Sequence, residues 1–269
     1  MSLIYNATFD KNTRKLSFED RAGSEIYSFT VPERAPAVDD ITKPLTFKAI
    51  QDGSTVTLEK SGSIYSSFQT SRDGGNTWVN YDTGTAITLN TGDKVSFRVH
   101  GRQKQDFNKY FVFLMTGKIE AWHNVMSMIT STGFAARKNA EKYAFYGLFN
   151  GCTSLTKAPV LPANTLNESC YEYMFLGCQS LTKAPELPAT YLHNNCYRSM
   201  FEGCRSLNEV RIAAATTNST TALYNWLKGV SATGDFYCDP NATIFPTDSA
   251  SGIPANWNRH SLADYPVTP

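Results

Sequence analysis

Residues 171–196 read YEYMFLGCQSLTKAPELPATYLHNNC, and residues 197–222 that follow read YRSMFEGCRSLNEVRIAAATTNSTTA. The segment before them, YGLFNGCTSLTKAPVLPANTLNESC, ends at Cys170 and falls into the same frame. The period is 26 residues: Cys152, Cys178 and Cys204 share one column, as do Phe149, Phe175 and Phe201. Leu155, Leu181 and Leu207 share another, and Cys170 and Cys196 a fourth. Self-similarity at this period with apolar columns preserved is the mark of a solenoid.

The columns degrade outward, as stacked repeats require of their ends. One period beyond Cys196 stands Ala222, and one before Cys170 stands Ala144. Val230 and Met126 continue the Cys152 column, and Ile129 the Leu155 column. Trp226 and Leu227 replace Met200 and Phe201, and SGIPANW, with Ile253 and Trp257, reads as the far cap. Within one repeat Leu166, Cys170, Met174 and Cys178 lie four apart with Tyr171 and Phe175 beside them, which predicts a short helix. Asn167/His193, Glu172/Arg198, Tyr173/Ser199 and Leu176/Glu202 fall off that stripe and are expected to face water. SLTKAPVLP is extended, because Pro159 and Pro162 exclude helix. A helix plus an extended piece per turn is the plan of a leucine-rich repeat.

Upstream the pattern changes. LTFKAI, STVTLE, YSSFQT, TAITLN and KVSFRV alternate at period two and are separated by QDGS, RDGG, DTGT and NTGD. Short strands punctuated by turn residues predict an antiparallel sandwich of immunoglobulin-like type. Residues 6–31 read as a three-stranded meander, and VPERAPAVDDITKP as a linker in which Pro32, Pro36 and Pro44 resist helix. The expected class is α+β: a β-rich domain over residues 1–118 (meander 1–31, sandwich 45–118), then a leucine-rich-repeat solenoid with its cap over 119–269.

SRDGGNTW, residues 71–78, fits the Ser-x-Asp-x-Gly-x-Thr-Trp Asp box and resembles the motif that recurs once per blade in sialidase-like propellers. That resemblance implies a structural hairpin rather than a catalytic group. Asp73 accepts backbone N–H bonds, Gly74 and Gly75 supply the turn, and Trp78 covers one face. FLGCQSLTKAPELP and FEGCRSL resemble the BspA-like leucine-rich repeats of bacterial surface proteins, and the sandwich segment resembles domains that precede such repeats in gut bacteria. The resemblance implies a secreted or surface-displayed adhesion and binding protein, and brings no catalytic residues.

Other chemistry is weakly signalled. The chain of 269 residues carries a formal net charge of +1, giving no electrostatic case for nucleic acid. No apolar run approaches the roughly 20 residues a membrane helix needs, and no signal peptide is visible at the N-terminus. The cysteine columns accept Ala, Val and Met, so the six cysteines read as buried thiols filling space, with a disulfide or zinc as alternatives. His100, His123, His193 and His260 show no metal-ligand spacing. Glycoside hydrolysis needs two carboxyl groups facing one cleft, whereas Glu168, Glu172, Glu186 and Glu202 occupy tolerant positions. No catalytic residue, metal or cofactor is therefore expected.

A binding face remains. It would carry Thr156, Lys157 and Val160, then Thr182, Lys183 and Glu186, then Asn208, Glu209 and Arg211, with Tyr173 and Tyr191 as exposed aromatics. The expected partner is a protein or glycan at a cell surface or outside the cell. A phage-tail-like receptor-binding or structural component, virion-associated, and a sialidase-like hydrolase are the alternatives.

Overall fold

The structure is a computed structural model. It describes residues 6–10, 15–19, 22, 24–30, 39–61, 66–101, 110–247 and 249–265. Most of the expected linker lies outside the described residues. The strands before residue 39 form one unit, and Asp39–Tyr265 a second. In the first, β1 (Asn6–Asp10), β2 (Lys15–Glu19) and β3 (Glu25–Thr30) make an antiparallel meander in that order.

The second unit opens with two facing antiparallel sheets. Its strands are β4 (Thr46–Ala49), β5 (Ser54–Ser61), β6 (Ser67–Ser71), β7 (Val79–Tyr81), β8 (Ile87–Leu89), β9 (Lys94–His100) and β10 (Tyr110–Thr116). One sheet has the order β10-β5-β8; the other contains β4-β9-β6-β7. An immunoglobulin sandwich places its first strand beside the second and its last beside the sixth. Here β4 lies beside β9 and β10 beside β5, so the first and last strands have exchanged sheets relative to that order. Alternation explains the core: Val56 and Leu58 from one sheet and Phe47, Phe68 and Phe97 from the other are all buried in one cluster. Phe47 and Phe97 both pack edge-on against Phe113 of β10.

The Asp box forms the β6–β7 hairpin. Asp73 accepts the Asn76 and Thr77 N–H groups and the Ser71 and Thr77 hydroxyls. Those bonds hold its carboxyl well below the usual range, Ser71 contributing most. Trp78 donates Nε1 to the Gly75 carbonyl at 2.9 Å, and Arg98 lies over its ring. All of these groups are used in closing the turn.

From β11 (Ile119–Trp122) the chain winds into a β-solenoid of about five turns. The boundary drawn after residue 118 follows the end of β10, but the sheet runs through it. β11 pairs antiparallel with β4 of the sandwich and parallel with β13 (Leu155–Lys157) of the array. The remaining rungs pair parallel: β12 (Asn139–Ala140) with β14 (Thr165–Leu166), β15 (Tyr191–Leu192) with β17 (Thr216–Thr217), and β16 (Glu209–Arg211) with β18 (Gly234–Cys238), which pairs with β19 (Trp257–Ser261).

The predicted helix in each repeat is not formed, and the α+β class gives way to a mostly β chain. Among the described residues the only helical elements are three 3-10 turns of three or four residues. The stripe from Leu166 to Cys178 is a chain of consecutive turns. Cys170, Glu172, Met174, Leu176 and Cys178 each donate N–H to the carbonyl three residues back. The alternate residues, Ser169, Tyr171, Tyr173, Phe175 and Gly177, donate to Asn194, Cys196, Arg198, Met200 and Glu202 of the next coil at 2.8–3.1 Å. An α-helix keeps every such bond within its own segment and φ negative throughout. Here φ is positive at every fourth residue, Ser169, Tyr173 and Gly177, then Asn195, Ser199 and Gly203. The backbone therefore turns a square corner every four residues, and stacking is wired into half of its amides.

This spiral orders the core. Phe113, Phe149, Phe175 and Phe201 form a spine of near-parallel rings with centroids 5.3–5.6 Å apart. Phe145, Tyr171 and Tyr197 make a second stack. Since Phe113 belongs to β10, the sandwich and the solenoid share one core. All six cysteines are free and buried. The thiols do more than fill space: Cys152, Cys178 and Cys204 donate Sγ–H to the carbonyls of Phe113, Phe149 and Phe175 at 3.0–3.1 Å. Burial pushes the Cys196 and Cys204 thiols up to about 12. Glu172, expected in water, is buried; desolvation raises its carboxyl above the usual range although Arg198 stands 3.5 Å away.

Candidate ligand-binding face

The sheet side of the solenoid gathers most of the residues singled out from sequence, and the first turn differs from the rest. Lys157 is half-buried, its Nζ 2.6 Å from Asp39 and 3.1 Å from the Trp122 ring centroid. Desolvation lowers its pKa, and the side chain serves as a strut between the start of the unit and the array. Thr156 Oγ1 donates to the Ile119 carbonyl, and Val160 bridges Asn124. These three residues are joined to the fold rather than offered to solvent.

The second and third turns behave as a surface. Thr182, Lys183, Glu186 and Asn208 are exposed. Lys183 pairs with Glu209 at 2.9 Å, and Arg211 pairs with Glu186. Parallel register explains both, since Lys183 bridges Glu209 on the adjacent rung. The same register continues where the sequence reading stopped: Glu209 opposes Asp235 and Arg211 opposes Tyr237. β19 then places His260 against Tyr237 with ring centroids 4.8 Å apart. His260 Nε2 and Asp235 Oδ1 are 2.7 Å apart, and that bond is the largest influence holding the Asp235 carboxyl below its usual range.

Tyr265 completes the face. Its ring lies under the Arg211 guanidinium at 4.6 Å and edge-on to Tyr237 at 4.8 Å, and its hydroxyl donates to Glu209 at 2.8 Å. Burial and the Glu209 carboxylate push that hydroxyl up to about 12. The result is a contiguous patch of two tyrosines, a guanidinium, an imidazole and three carboxylates, carried by the sheet and by the turn that follows β19. Such a patch can stack against a planar or apolar ligand surface and exchange hydrogen bonds along its edge.

Two residues lie elsewhere. Tyr173 sits in the turn spiral at φ 58°, its ring edge-on to Tyr146 at 5.5 Å, and Tyr110 meets Tyr146 in the same way at 5.3 Å. Tyr191 is exposed on β15 beside His193. The sequence reading missed Asp235, Tyr237, His260 and Tyr265. Adding one period to Glu209 and Arg211 would have found the first two; nothing local in the sequence signals the others.

The fold and this face define a β-solenoid protein whose first turns are built onto a β-sandwich. No family model, curated protein or solved structure matches the chain.

Proposed function

We propose that this chain is a non-catalytic binding protein working at a cell surface or outside the cell. Its ligand is a protein or glycan, held on the face made by β16, β18 and β19. In this reading the repeat array is of the BspA-like kind, and the two-sheet segment is an immunoglobulin-like variant with its terminal strands exchanged. The observation that carries the proposal is the single patch formed by Lys183, Glu186, Glu209, Arg211, Tyr237, His260 and Tyr265 on adjacent rungs. Its side chains mix aromatic faces with donors and acceptors, the composition that makes interface anchors. The acids weighed for hydrolysis support a binding role, because Glu168, Glu172, Glu186 and Glu202 each face a cation: Lys142, Arg198, Arg211 and Lys228.

The test is a printed glycan array together with immobilised extracellular-matrix proteins, probed with the native chain and with an Arg211→Glu/Tyr237→Ala double variant of unchanged circular dichroism. The native chain is expected to bind at least one of them and the variant to lose that binding by roughly tenfold or more, the size expected when an aromatic and an arginine anchor are removed. Undiminished binding by the variant removes the face; no binding by the native chain removes the reading.

A further inference from the structure

The hydrogen-bond pattern of the spiral is left unfinished at the far end of the array. In each inner coil a Phe and a Gly donate N–H to the coil that follows: Phe149 and Gly151 to Met174 and Leu176, Phe175 and Gly177 to Met200 and Glu202, Phe201 and Gly203 to Trp226 and Lys228. One period on stand Leu227 and Gly229, and among the described residues neither amide has an acceptor. The last donation of this kind is Asn225 to Ala250. The carbonyls that would continue the ladder are turned to other donors. Gly252 accepts the Trp226 indole at 3.0 Å, and Pro254 accepts the Trp257 N–H at 3.1 Å. Where the rung should run there is a cavity of about 470 Å³, with Leu227, Gly229, Val230, Ala232, Ile253 and Pro254 among its walls.

We propose that this cavity is a docking site for a short peptide segment of another protein, laid on the array as one more rung. Its carbonyl oxygens would take the Leu227 and Gly229 N–H groups, and an apolar side chain would fill the space between Leu227, Val230 and Ile253. A peptide complements the site. The open groups are N–H dipoles, and among the described residues Lys228 is the only charged one on the walls, so the site favours an occupant presenting acceptors. Their spacing is the rung spacing that a polypeptide answers three times within the array, and adding a chain to an unfilled backbone edge is an established mode of peptide capture. A second copy of this chain is a poor occupant. The opposite end of its array is covered by β10, where Phe113 N–H donates to Leu148 and the Phe113 ring stacks on Phe149. A small anion would meet the amides and leave the apolar walls unfilled.

The experiment follows amide hydrogen exchange by NMR in the full chain. The probe is a synthetic peptide copying residues 193–204, with Cys196→Ala and Cys204→Ala to prevent oxidation; that segment stacks in the array in the way the docked rung would. In the free protein Leu227 and Gly229 are expected to exchange much faster than Phe201 and Gly203. Millimolar peptide is expected to slow both by roughly tenfold or more, while a scrambled peptide and acetate leave them unchanged. Ala232→Trp, placed on an exposed wall, is expected to abolish the protection while Phe201 and Gly203 stay slow. The proposal is overturned if the peptide fails to slow these amides, if acetate or the scrambled peptide slows them equally, or if the Ala232→Trp protein remains protected.

Discussion

Tyr171→Phe is expected to stabilise this protein, although it deletes a polar group from the centre of the solenoid. Tyr171 is fully buried between Phe145, at 5.3 Å and 8° from parallel, and Tyr197, at 6.0 Å and 20°. Its hydroxyl is buried and has no hydrogen-bond partner among the described residues. Folding therefore strips that oxygen of water and returns nothing, a loss of about 1–3 kcal/mol in mutational data. Phenylalanine keeps the ring and its stacking, and the same column already carries Phe145. A vacated oxygen leaves too small a void to cancel the gain, so the net expectation is about +1 kcal/mol. For a unit of this size that corresponds to a rise in Tm of about 2–4 °C. Calorimetry and urea titration of the two proteins at neutral pH measure it, the m-value serving as a check that the unfolded state is unchanged. A lowered Tm would refute the reasoning, because it would mean that the hydroxyl has a partner whose loss costs more than its desolvation.

Two further outcomes follow from the backbone and from the Asp box. Gly203→Ala is expected to cost about 1–2 kcal/mol, because φ there is 76° and a side chain strains that region. The added Cβ itself would meet Gly177 Cα at an ordinary 3.6 Å, so a neutral result by urea titration would show that the left-handed corner is not what the glycine column supplies. Asp73→Asn is expected to remove an acid-sensitive contribution to stability. Hydrogen bonds hold the native Asp73 carboxyl below its ordinary value of 3.8, so its contribution is full above that pH and is lost as pH falls further. Melting curves from pH 6 down to about pH 2 should show the two proteins converging; parallel curves would mean that the carboxylate bonds do not stabilise the hairpin.

The stacking was legible in the sequence because columns such as Cys152/Cys178/Cys204 repeat through space as they do along the chain. The hairpin was legible because Asp73, Gly74 and Gly75 state their turn locally. The helix was misread for a physical reason. Apolar residues four apart fit a helical face over a short stretch, and they fit equally well a spiral that turns once in four. Only one of the three positive-φ columns is marked by glycine, at Gly151, Gly177, Gly203 and Gly229; the others hold Tyr143, Ser169 and Asn195, and Gly147, Tyr173, Ser199 and Asn225. Tyrosine and serine carry no such signature. The face was only partly legible for a different reason. Register fixed the neighbours of Lys183 and Arg211, but the Lys157 strut depends on Asp39, 118 residues away, and the patch is completed by Tyr265, 56 residues beyond Glu209.

The two ends of the array are closed by different means, and the difference bears on what each can do. A stack of rungs ends in a row of backbone groups that lack the next rung, and such groups need partners where water is excluded. At the first end the sandwich supplies them: β11 feeds its sheet into the rungs, Phe113 N–H meets Leu148, and Cys152 Sγ–H returns to the Phe113 carbonyl. The Phe113 ring extends the aromatic spine at the same point, so backbone and core are sealed together. At the far end the sheet side gains β19, paired over five residues with β18. Among the described residues the spiral side gains one bond, Asn225 to Ala250, before Gly252 and Pro254 turn their carbonyls to Trp226 and Trp257. A cap that continues the sheet while abandoning the spiral keeps the Arg211–Tyr237 face paired through its last rung, and leaves the amides of Leu227 and Gly229 beside the cavity.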